Sequence, residues 1–276
     1  MAMMAEKNIN SSSFMEMIAN GYHTHIIDKI DPRSEDWLLV SSPFVPLGIV
    51  TAYLLFVKKL GPSFMANRSA YRIEPLIILY NVIQIVACLY IFIHGLTMWR
   101  QLGYNFTCQP VDYTVTEQNR AVANSVFGYY LIKISDLVDT VFFILRKKFS
   151  HASFLHVYHH AGMVIVGYLA CKFSLNGHFV LLGIVNSFVH VCMYSYYLAT
   201  AMWPETKPSL TVKKTLTIIQ LVQFYVLLIH EALPLLQPNC DVQKHWAAAL
   251  VVQYTFMIAL FTDFYKKAYS GKKKTA

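Results

Sequence analysis

Residues 75–98 read PLIILYNVIQIVACLYIFIHGLTM and contain no Asp, Glu, Lys or Arg. A helix rises about 1.5 Å per residue, so a run of this length crosses the roughly 30 Å hydrocarbon core of a bilayer. The rest of the chain fits the same class, because 56% of its 276 residues are hydrophobic and only 14% are charged. Soluble domains carry about a quarter charged residues. We therefore predict an all-α polytopic membrane protein.

Further apolar segments accompany this run and predict about seven transmembrane helices. The expected spans are residues 37–57, 75–98, 121–145, 154–173, 179–202, 216–236 and 246–265. Spans of this length leave only short loops. We expect one transmembrane domain over residues 1–276, with a short N-terminal segment (1–35) and a basic tail (266–276).

The basic residues predict the orientation of the chain. The first, third and fifth loops and the C-terminal tail hold 15 of the 23 Lys and Arg residues. Cytosolic loops carry such an excess, so the C-terminus is expected in the cytosol and the N-terminus on the lumenal or extracellular side. The basic residues that give the chain its net charge of +8 therefore lie beside the spans. This placement argues against nucleic acid as a partner.

Two cysteines and two sequons fall on the predicted non-cytosolic side. Cys108 and Cys240 lie in the second and sixth loops, where a disulfide can form. We predict that they are bonded, because the other cysteines lie outside polar loops; the alternative is two unpaired thiols. Asn10 and Asn105 each begin an N-glycosylation sequon, and such tripeptides often go unmodified.

The chain ends Lys273-Lys274-Thr275-Ala276. Lysines third and fourth from a cytosolic C-terminus resemble the dilysine retrieval signal of endoplasmic reticulum membrane proteins. The alternative is an ordinary basic tail, since a cytosolic tail is basic in any case. The exact placement favours retrieval and so predicts the endoplasmic reticulum membrane.

The fourth span opens with a histidine cluster, His156-Val157-Tyr158-His159-His160. Residues three and four apart share a helix face, so His156 lies beside both His159 and His160. Each imidazole within hydrocarbon needs a polar partner, so the three rings face a cavity or one another. A lone buried histidine is usually a satisfied core residue, but three within five residues favour a functional site.

Three neighbouring spans carry polar stripes at helical spacing. In the fifth span, Asn186 is placed to bond His190 and fix its tautomer, although polar pairing between helices explains the same stripe. In the third span, Lys133 pairs with Asp136 either for neutralisation or for catalysis. In the sixth span the amides suit substrate binding or helix pairing equally. The full stripes are Lys133, Asp136, Asp139 and Thr140; Asn186, His190, Met193, Tyr194 and Tyr197; and Thr217, Gln220 and Gln223.

Metal chemistry is a weaker interpretation of the histidine cluster. Membrane di-iron enzymes, which include lipid oxidases, need about eight histidines in several boxes, and this chain offers one box plus His190. Three histidines and a water make a catalytic zinc site, but no Glu lies within a span beside the box to act as a base. We therefore expect no metal there and favour imidazole as nucleophile or general base.

Four blocks, in order and in spacing, resemble one enzyme family. They are Lys133-x-x-Asp136-x-x-Asp139-Thr140, the His156–His160 box, Asn186-x-x-x-His190-x-x-Met193-Tyr194-x-Tyr196-Tyr197 and Thr217-x-x-Gln220-x-x-Gln223. The family is the very-long-chain fatty acid elongases, the 3-ketoacyl-CoA synthases of the endoplasmic reticulum. The likeness runs from Asp31-Pro32-Arg33 through the last span. The family usually has Glu where this chain has Asp136, which puts a direct catalytic role for that carboxylate in doubt.

The resemblance implies a seven-helix fold in which six helices enclose a narrow acyl tunnel. It implies condensation of a long-chain acyl-CoA with malonyl-CoA, giving a 3-ketoacyl-CoA, CO2 and CoA without a cofactor. His156, His159, His160 and His190 correspond to the family's catalytic histidines, and Cys108 and Cys240 to its paired lumenal cysteines. We expect a ping-pong route through an acyl-imidazole on His159, because no Cys lies beside the box. The remaining stripe residues are expected to support these histidines.

The expected partners are the two CoA substrates, membrane lipid and other enzymes of the elongation cycle, with a homodimer also possible. The CoA phosphates require cations near the cytosolic mouth, and the same cations satisfy the positive-inside rule. They are Arg146, Lys147, Lys148, Lys213 and Lys214. Two other classes stay open: a seven-span receptor, which shares the topology and a lumenal disulfide, and a metal-dependent membrane lipid oxidase.

Overall fold

A computed structural model describes residues 30–206 and 208–270, and every regular secondary-structure element within them is a helix. The α-helices are α1 (Phe44–Leu55), α2 (Gly61–Met65), α3 (Glu74–Gln101), α4 (Glu117–Ser135), α5 (Leu137–Leu145), α6 (Phe154–Phe173), α7 (Val180–Met202), α8 (Leu210–Ala232) and α9 (Lys244–Tyr265). Short 3₁₀ turns occur at Pro32–Ser34, Phe149–His151 and Leu233–Leu236, and π-helical turns at Phe56–Leu60 and Lys266–Ser270. The sequon at Asn10 and the lysines Lys273 and Lys274 lie outside the described residues.

Within the described residues, six helical segments are long and apolar enough to cross a membrane. They are Phe44–Met65, Glu74–Gln101, Phe154–Phe173, Val180–Met202, Leu210–Leu236 and Lys244–Tyr269. The predicted class, an all-α polytopic membrane protein, is therefore confirmed. The count of seven spans stays a prediction, because the segment expected at 121–145 is not one continuous helix.

The α3 helix buries polar side chains and exposes apolar ones, which is the reverse of the pattern in soluble proteins. Its polar residues Asn81 and Gln84 are 2% exposed, whereas Leu79 and Ile83 are each 56% exposed. In water this arrangement would expose a large apolar face. In a bilayer it places the apolar side chains against lipid and both amides inside the bundle, where Gln84 donates to Tyr80 and Asp136.

The segment predicted as one span at 121–145 is broken at Asp136 into α4 and α5. At this break the hydroxyl of Tyr80, on α3, donates to the Ser135 carbonyl over 3.0 Å. A break at membrane depth is tolerated when neighbouring helices satisfy the freed backbone groups. The break lets Asp136 and Asp139 point into the bundle.

Two helix starts differ from the sequence prediction by six or seven residues. The first span begins at Phe44 rather than 37, because Trp37 and Val40 form a turn, closed by a 2.8 Å backbone bond, ahead of Pro43. The α8 helix begins at Leu210 rather than 216, because the Ser209 side chain accepts from the Val212 amide as an N-cap. Lys213 and Lys214 therefore lie in the first turns of α8 and not in the preceding loop.

The helices pack in a closed order around the interior. The α3 helix packs along α7 and α4, α4 packs on α6, and α8 lies between α7 and α9. The ring closes between α6 and α9, where Tyr158 donates to Gln253 over 2.7 Å and Phe173 lies 5.6 Å from Trp246. The α1 helix packs outside this ring, against α6.

The two ends of the bundle differ in character. The box end carries the start of α6, with His156, His159 and His160. The opposite end, here called the disulfide end, contains the predicted bond between Cys108 and Cys240, which is present with a sulfur–sulfur distance of 2.06 Å.

At the disulfide end, two loops are tied together around Asn176. Its side-chain oxygen accepts from the Asp112 amide over 3.0 Å, and its amide donates to the Asp112 carbonyl over 2.7 Å. The next residue, Gly177, has φ +89°, and a Cβ there would lie 2.9 Å from the Pro110 carbonyl oxygen. Only glycine fits this close approach without strain. The loop before α7 is thus fixed against the loop before α4.

Candidate active site

A polar cavity of about 500 Å³ opens at the box end, between α5, α6, α7, α8 and α9. Eleven of the residues predicted from the sequence line it, from all four of the blocks quoted above. They are Asp139, His156, His159, His160, Asn186, His190, Met193, Tyr194, Tyr197, Gln220 and Gln223. Residues spread over 85 positions of sequence are thus brought to one cavity.

Behind this cavity, the predicted pair of Lys133 and Asp136 is present and buried. The Lys133 ammonium donates to Asp136 Oδ2 over 2.8 Å, and each side chain is 1% exposed. The ammonium also lies 3.4 Å from both ring nitrogens of His190, and His190 Nδ1 lies 3.5 Å from Asp136 Oδ2. Neither Lys133 nor Asp136 lines the cavity. The pair therefore contacts His190 without forming part of the cavity wall.

The Asp136 carboxylate has further donors, and one of them was not predicted. Gln84 on α3 donates to Oδ1 over 2.8 Å. Tyr194 donates to the same oxygen over 2.9 Å and lies 2.8 Å from Asp139 Oδ2. The signal for Gln84 was present in the sequence, as an amide in the middle of the run at 75–98. An amide there requires a partner inside the bundle.

The first two turns of α6 place the three box histidines in different surroundings. His156 Nε2 lies 3.0 Å from the hydroxyl of Thr140, which is itself 2.8 Å from the hydroxyl of Tyr53. The ring of His160 lies 4.2 Å from that of His156 and 5.4 Å from that of His159. Among the described residues, no side chain forms a hydrogen bond with the His159 ring. The described residues likewise form no hydrogen bond with the His160 ring. The ring nitrogens of both His159 and His160 are therefore free to meet a ligand, and His159 is the less buried of the two.

The predicted hydrogen bond between Asn186 and His190 is wrong. Asn186 Oδ1 accepts instead from the Tyr129 hydroxyl on α4 over 2.7 Å, and its amide nitrogen lies 3.4 Å from Gln223 Oε1 on α8. The reason is the position of α4, whose Lys133 already occupies the space beside His190. Tyr129 was missed, because a tyrosine in an apolar helix carries no signal of its partner.

The glutamine stripe of α8 has two different environments. Gln223 is 4% exposed and takes part in the bond to Asn186. Gln220 is less buried, and its amide lies 2.9 Å from the Met193 sulfur on α7. A thioether is a weak acceptor, so the Gln220 amide keeps capacity for a stronger acceptor in the cavity.

A second cavity of about 430 Å³ adjoins the first and is almost wholly apolar. It is enclosed by α3, α4, α6, α7 and α9 and extends from Tyr158 and His159 to Phe173 and Trp246 at the disulfide end. Of all the residues that the structure describes, His159 alone lines both cavities. Its imidazole therefore stands where a polar chamber meets a long apolar one.

None of the five predicted CoA-binding cations lines the polar cavity. Arg146 donates to Glu74 over 3.0 Å, and the Lys147 ammonium to the Ala66 carbonyl over 3.3 Å. Burial, helped by the Arg146 charge, lowers the pKa of Lys148. His151, which was not predicted, does line the cavity, and burial together with Lys148 lowers the pKa of its imidazole. The loop after α5 thus forms the rim of the cavity.

Comparison with known proteins gives consistent likenesses. The family model described as ELO: GNS1/SUR4 family matches residues 38–276. A very long chain fatty acid elongase of Aedes aegypti is 39% identical over 252 residues, covering 91% of this chain and 70% of the relative. Very long chain fatty acid elongase 4 of Homo sapiens is 39% identical over 246 residues, covering 88% and 77%. Very long chain fatty acid elongase 7 of Drosophila melanogaster is 33% identical over 266 residues, covering 95% and 81%.

Proposed function

The chain belongs to the ELO: GNS1/SUR4 family and is an enzyme of fatty acid elongation, and from this premise we propose that it catalyses the condensing step. In that step a long-chain acyl-CoA and malonyl-CoA give a 3-ketoacyl-CoA, CO2 and CoA. The protein would thus be an acyltransferase, a very-long-chain 3-oxoacyl-CoA synthase. It would need no cofactor beyond its two substrates.

The observation that carries the proposal is the position of His159. An acyl-CoA thioester has an apolar chain on one side of its carbonyl and a large polar group on the other. The apolar cavity suits the chain, the polar cavity suits the thioester and the nearest part of CoA, and His159 lines both. A thioester that filled both cavities would present its carbonyl carbon to this ring. We take the apolar cavity as the acyl tunnel.

The proposed reaction has two halves, and His159 takes part in both. A ring nitrogen of His159 attacks the thioester carbonyl, the carbon–sulfur bond breaks, and CoA leaves with the proton that the ring gives up. Malonyl-CoA then loses CO2 by cleavage of its carbon–carbon bond, which leaves an enolate. The enolate attacks the acyl-imidazole, and the carbon–nitrogen bond breaks. The leaving imidazolate takes up one proton from solvent water, which regenerates the neutral imidazole, and the 3-ketoacyl-CoA is released.

His190 and the tyrosines supply the surroundings for charge that develops in these steps. His190 lines the polar cavity and is held from behind by Lys133 and Asp136. Donors fixed before the reaction stabilise an oxyanion without reorganisation. The Asn186 amide, aligned by Tyr129 and Gln223, is a second such donor. We assign both groups to the oxygen of the acyl carbonyl or of the enolate.

The proposal includes a location and a topology. The disulfide between Cys108 and Cys240 supports an oxidising compartment on that side, because cytosolic thiols are kept reduced. The basic residues at the box end support a cytosolic location there, which is where acyl-CoA and malonyl-CoA would arrive. We propose an endoplasmic reticulum membrane protein with a lumenal N-terminus and a cytosolic C-terminus. Other enzymes of the elongation cycle would receive its product.

The direct test is condensation by the purified protein. Protein in detergent is incubated with a long-chain acyl-CoA and with malonyl-CoA labelled at its methylene carbon. We expect label in a 3-ketoacyl-CoA two carbons longer, with one CO2 released for each product. His159→Ala should lose the product by several orders of magnitude, whereas His245→Ala, which changes an exposed residue of the disulfide end, should retain it. A well-folded protein that incorporates no label would refute the proposal.

A further inference from the structure

A second cluster of titratable side chains lies at the disulfide end, outside the site described above. It joins His178, in the loop before α7, to His230 and Glu231 in the last turn of α8. The three side chains are at most 1% exposed. Each residue offers one potential ligand atom, and these three atoms lie within 4.8 Å of one another. The reaction proposed above uses none of them.

Four polar atoms of this cluster lack partners. Both carboxylate oxygens of Glu231 and the Nδ1 atoms of His178 and His230 are buried without a hydrogen bond among the described residues. Buried polar groups in proteins nearly always have a partner. A buried carboxylate with no donor and no cation is especially costly. Four unpartnered atoms in one place therefore indicate that a further species belongs between them.

The backbone bonds of the two rings determine which nitrogens are free. His178 Nε2 lies 3.0 Å from the His230 carbonyl oxygen, and His230 Nε2 lies 3.0 Å from the His178 carbonyl oxygen. A carbonyl only accepts, so both Nε2 atoms must carry the proton. In a neutral imidazole the other nitrogen, Nδ1, then carries a lone pair. A backbone carbonyl bound to one nitrogen is the usual device that prepares the other for a metal.

We propose that His178, His230 and Glu231 bind a divalent zinc ion that clamps the disulfide end of the bundle. Two imidazoles and one carboxylate are a typical zinc ligand set, with a water as the fourth ligand. Imidazole favours zinc over the hard cations calcium and magnesium, which take oxygen ligands. The carboxylate offsets half of the ionic charge within the buried site.

Binding requires the two rings to reorient. They are stacked at present, with centroids 3.7 Å apart and planes at 12°. A metal lies in the plane of each imidazole that binds it, so the rings must splay. In a tetrahedral site with metal–nitrogen bonds of about 2.0 Å, the ligand atoms lie roughly 3.3 Å apart. The ligand atoms must therefore close in slightly as the rings open.

The location gives the ion a structural role. His178 follows Gly177 and Asn176, which fix its loop against the loop before α4. His230 precedes the 3₁₀ turn that leads to Cys240, and its ring lies 4.7 Å from that of Phe106, two residues before Cys108. The ion would join the loop before α7 to α8 beside the disulfide. It would hold closed the end of the apolar cavity that Phe173 and Trp246 line.

The test measures metal and stability, and it does not depend on the elongation assay. The full chain is purified in detergent without chelator, and zinc is counted by mass spectrometry. We expect about one zinc per chain in the wild type and in the control His245→Ala, which changes an exposed histidine at the same end. His178→Ala and Glu231→Gln should lose at least about nine-tenths of it. The glutamine nearly preserves the size of Glu231, so this variant keeps the test valid if His178→Ala does not fold.

Chelation and refilling complete the test. EDTA should lower the Tm of the wild type and of His245→Ala but leave that of Glu231→Gln unchanged. Added Co²⁺ should give the stripped wild type the visible absorption of a tetrahedral site. The proposal is overturned if the wild type neither contains zinc nor takes up Zn²⁺ or Co²⁺. It is equally overturned if all variants hold the same amount. If the wild type takes up no metal, a protonated Glu231 that shares its proton with an imidazole explains the cluster.

Discussion

The buried pair of Lys133 and Asp136 allows a prediction with a worked magnitude. Lys133→Met keeps the length of the side chain but removes its charge, so a carboxylate that is 1% exposed would keep only Gln84 and Tyr194 as donors. Breaking a buried pair on one side costs about 3–5 kcal/mol. For a chain of this size that corresponds to a fall in Tm on the order of 10 °C. His190 would also lose its nearest cation.

Thermal unfolding in detergent and the condensation assay together test this reasoning. The matched control is Lys267→Met, because Lys267 pairs with Asp263 over the same 2.8 Å but both side chains are more than half exposed. Exposed pairs contribute little, so the control should unfold almost like the wild type. The double variant Lys133→Met/Asp136→Asn removes the stranded charge and should recover at least about half of the lost stability. Activity should stay low, since His190 remains without its cation.

Two outcomes would refute the reasoning. The first is a Lys133→Met protein as stable as Lys267→Met, which would mean that Asp136 is neutral or solvated in the folded state. The second is a double variant with full condensing activity, which would mean that the pair does not position His190 for the reaction.

Three further predictions concern the apolar cavity and the disulfide end. Gly162 lines the apolar cavity, and a Cβ there meets nothing within 4 Å. Gly162→Phe should therefore fold normally yet abolish condensation of long acyl-CoA in the labelled malonyl-CoA assay. The control is Gly48→Phe, because Gly48 is equally open but lies on α1 outside the ring, and a Gly162→Phe enzyme that forms the normal product would contradict the acyl tunnel. Replacing Cys108 and Cys240 by Ser opens a loop of 132 residues and should lower the free energy of unfolding by about 2–5 kcal/mol relative to the oxidised wild type. Denaturant unfolding measures this difference, and the reduced wild type should be as unstable as the variant. Burial lowers the pKa of His178 to about 4, below its ordinary value near 6.5, so the unfolded state binds the extra proton between these two pH values. In chelator, the wild type should therefore lose stability relative to His178→Gln as the pH falls from 6.5 towards 4. Identical pH profiles for the two proteins would contradict this assignment.

Hydropathy and helical spacing were sufficient to predict most of the architecture. The run at 75–98 corresponds closely to α3, and the span predicted at 154–173 coincides with α6. Both segments are predominantly apolar and long enough to cross a bilayer, so their lengths follow from the membrane. The same reasoning failed at 121–145, because the break at Asp136 depends on a hydroxyl of α3 that satisfies the Ser135 carbonyl. That contact is between segments distant in sequence.

The sequence predicted which residues form the candidate site but not which partners they contact. Polar residues at membrane depth identified the histidines and the pair of Lys133 and Asp136, since each is costly without a partner. Which partner each would find was not predictable. Asn186 bonds Tyr129 and not His190, and Gln84 reaches Asp136 from another helix.

The cluster at the disulfide end escaped the sequence analysis for a related reason. His178 and His230 are 52 positions apart and form no local motif. A search for closely spaced ligands therefore passes over them. Only the folding of the loop before α7 against the end of α8 brings these residues together with Glu231.

The central claim is that His159 carries the acyl group between the two substrates, and trapping that group tests it most directly. The purified protein is incubated with a long-chain acyl-CoA and no malonyl-CoA, then digested and mapped by mass spectrometry. The account predicts one acyl group per active chain on the peptide that contains His159, no adduct in His159→Ala, and loss of the adduct when malonyl-CoA is added. Cys192, on α7, is a free thiol that is not fully buried. An adduct that persists in full in His159→Ala, or that maps to Cys192, would contradict the account.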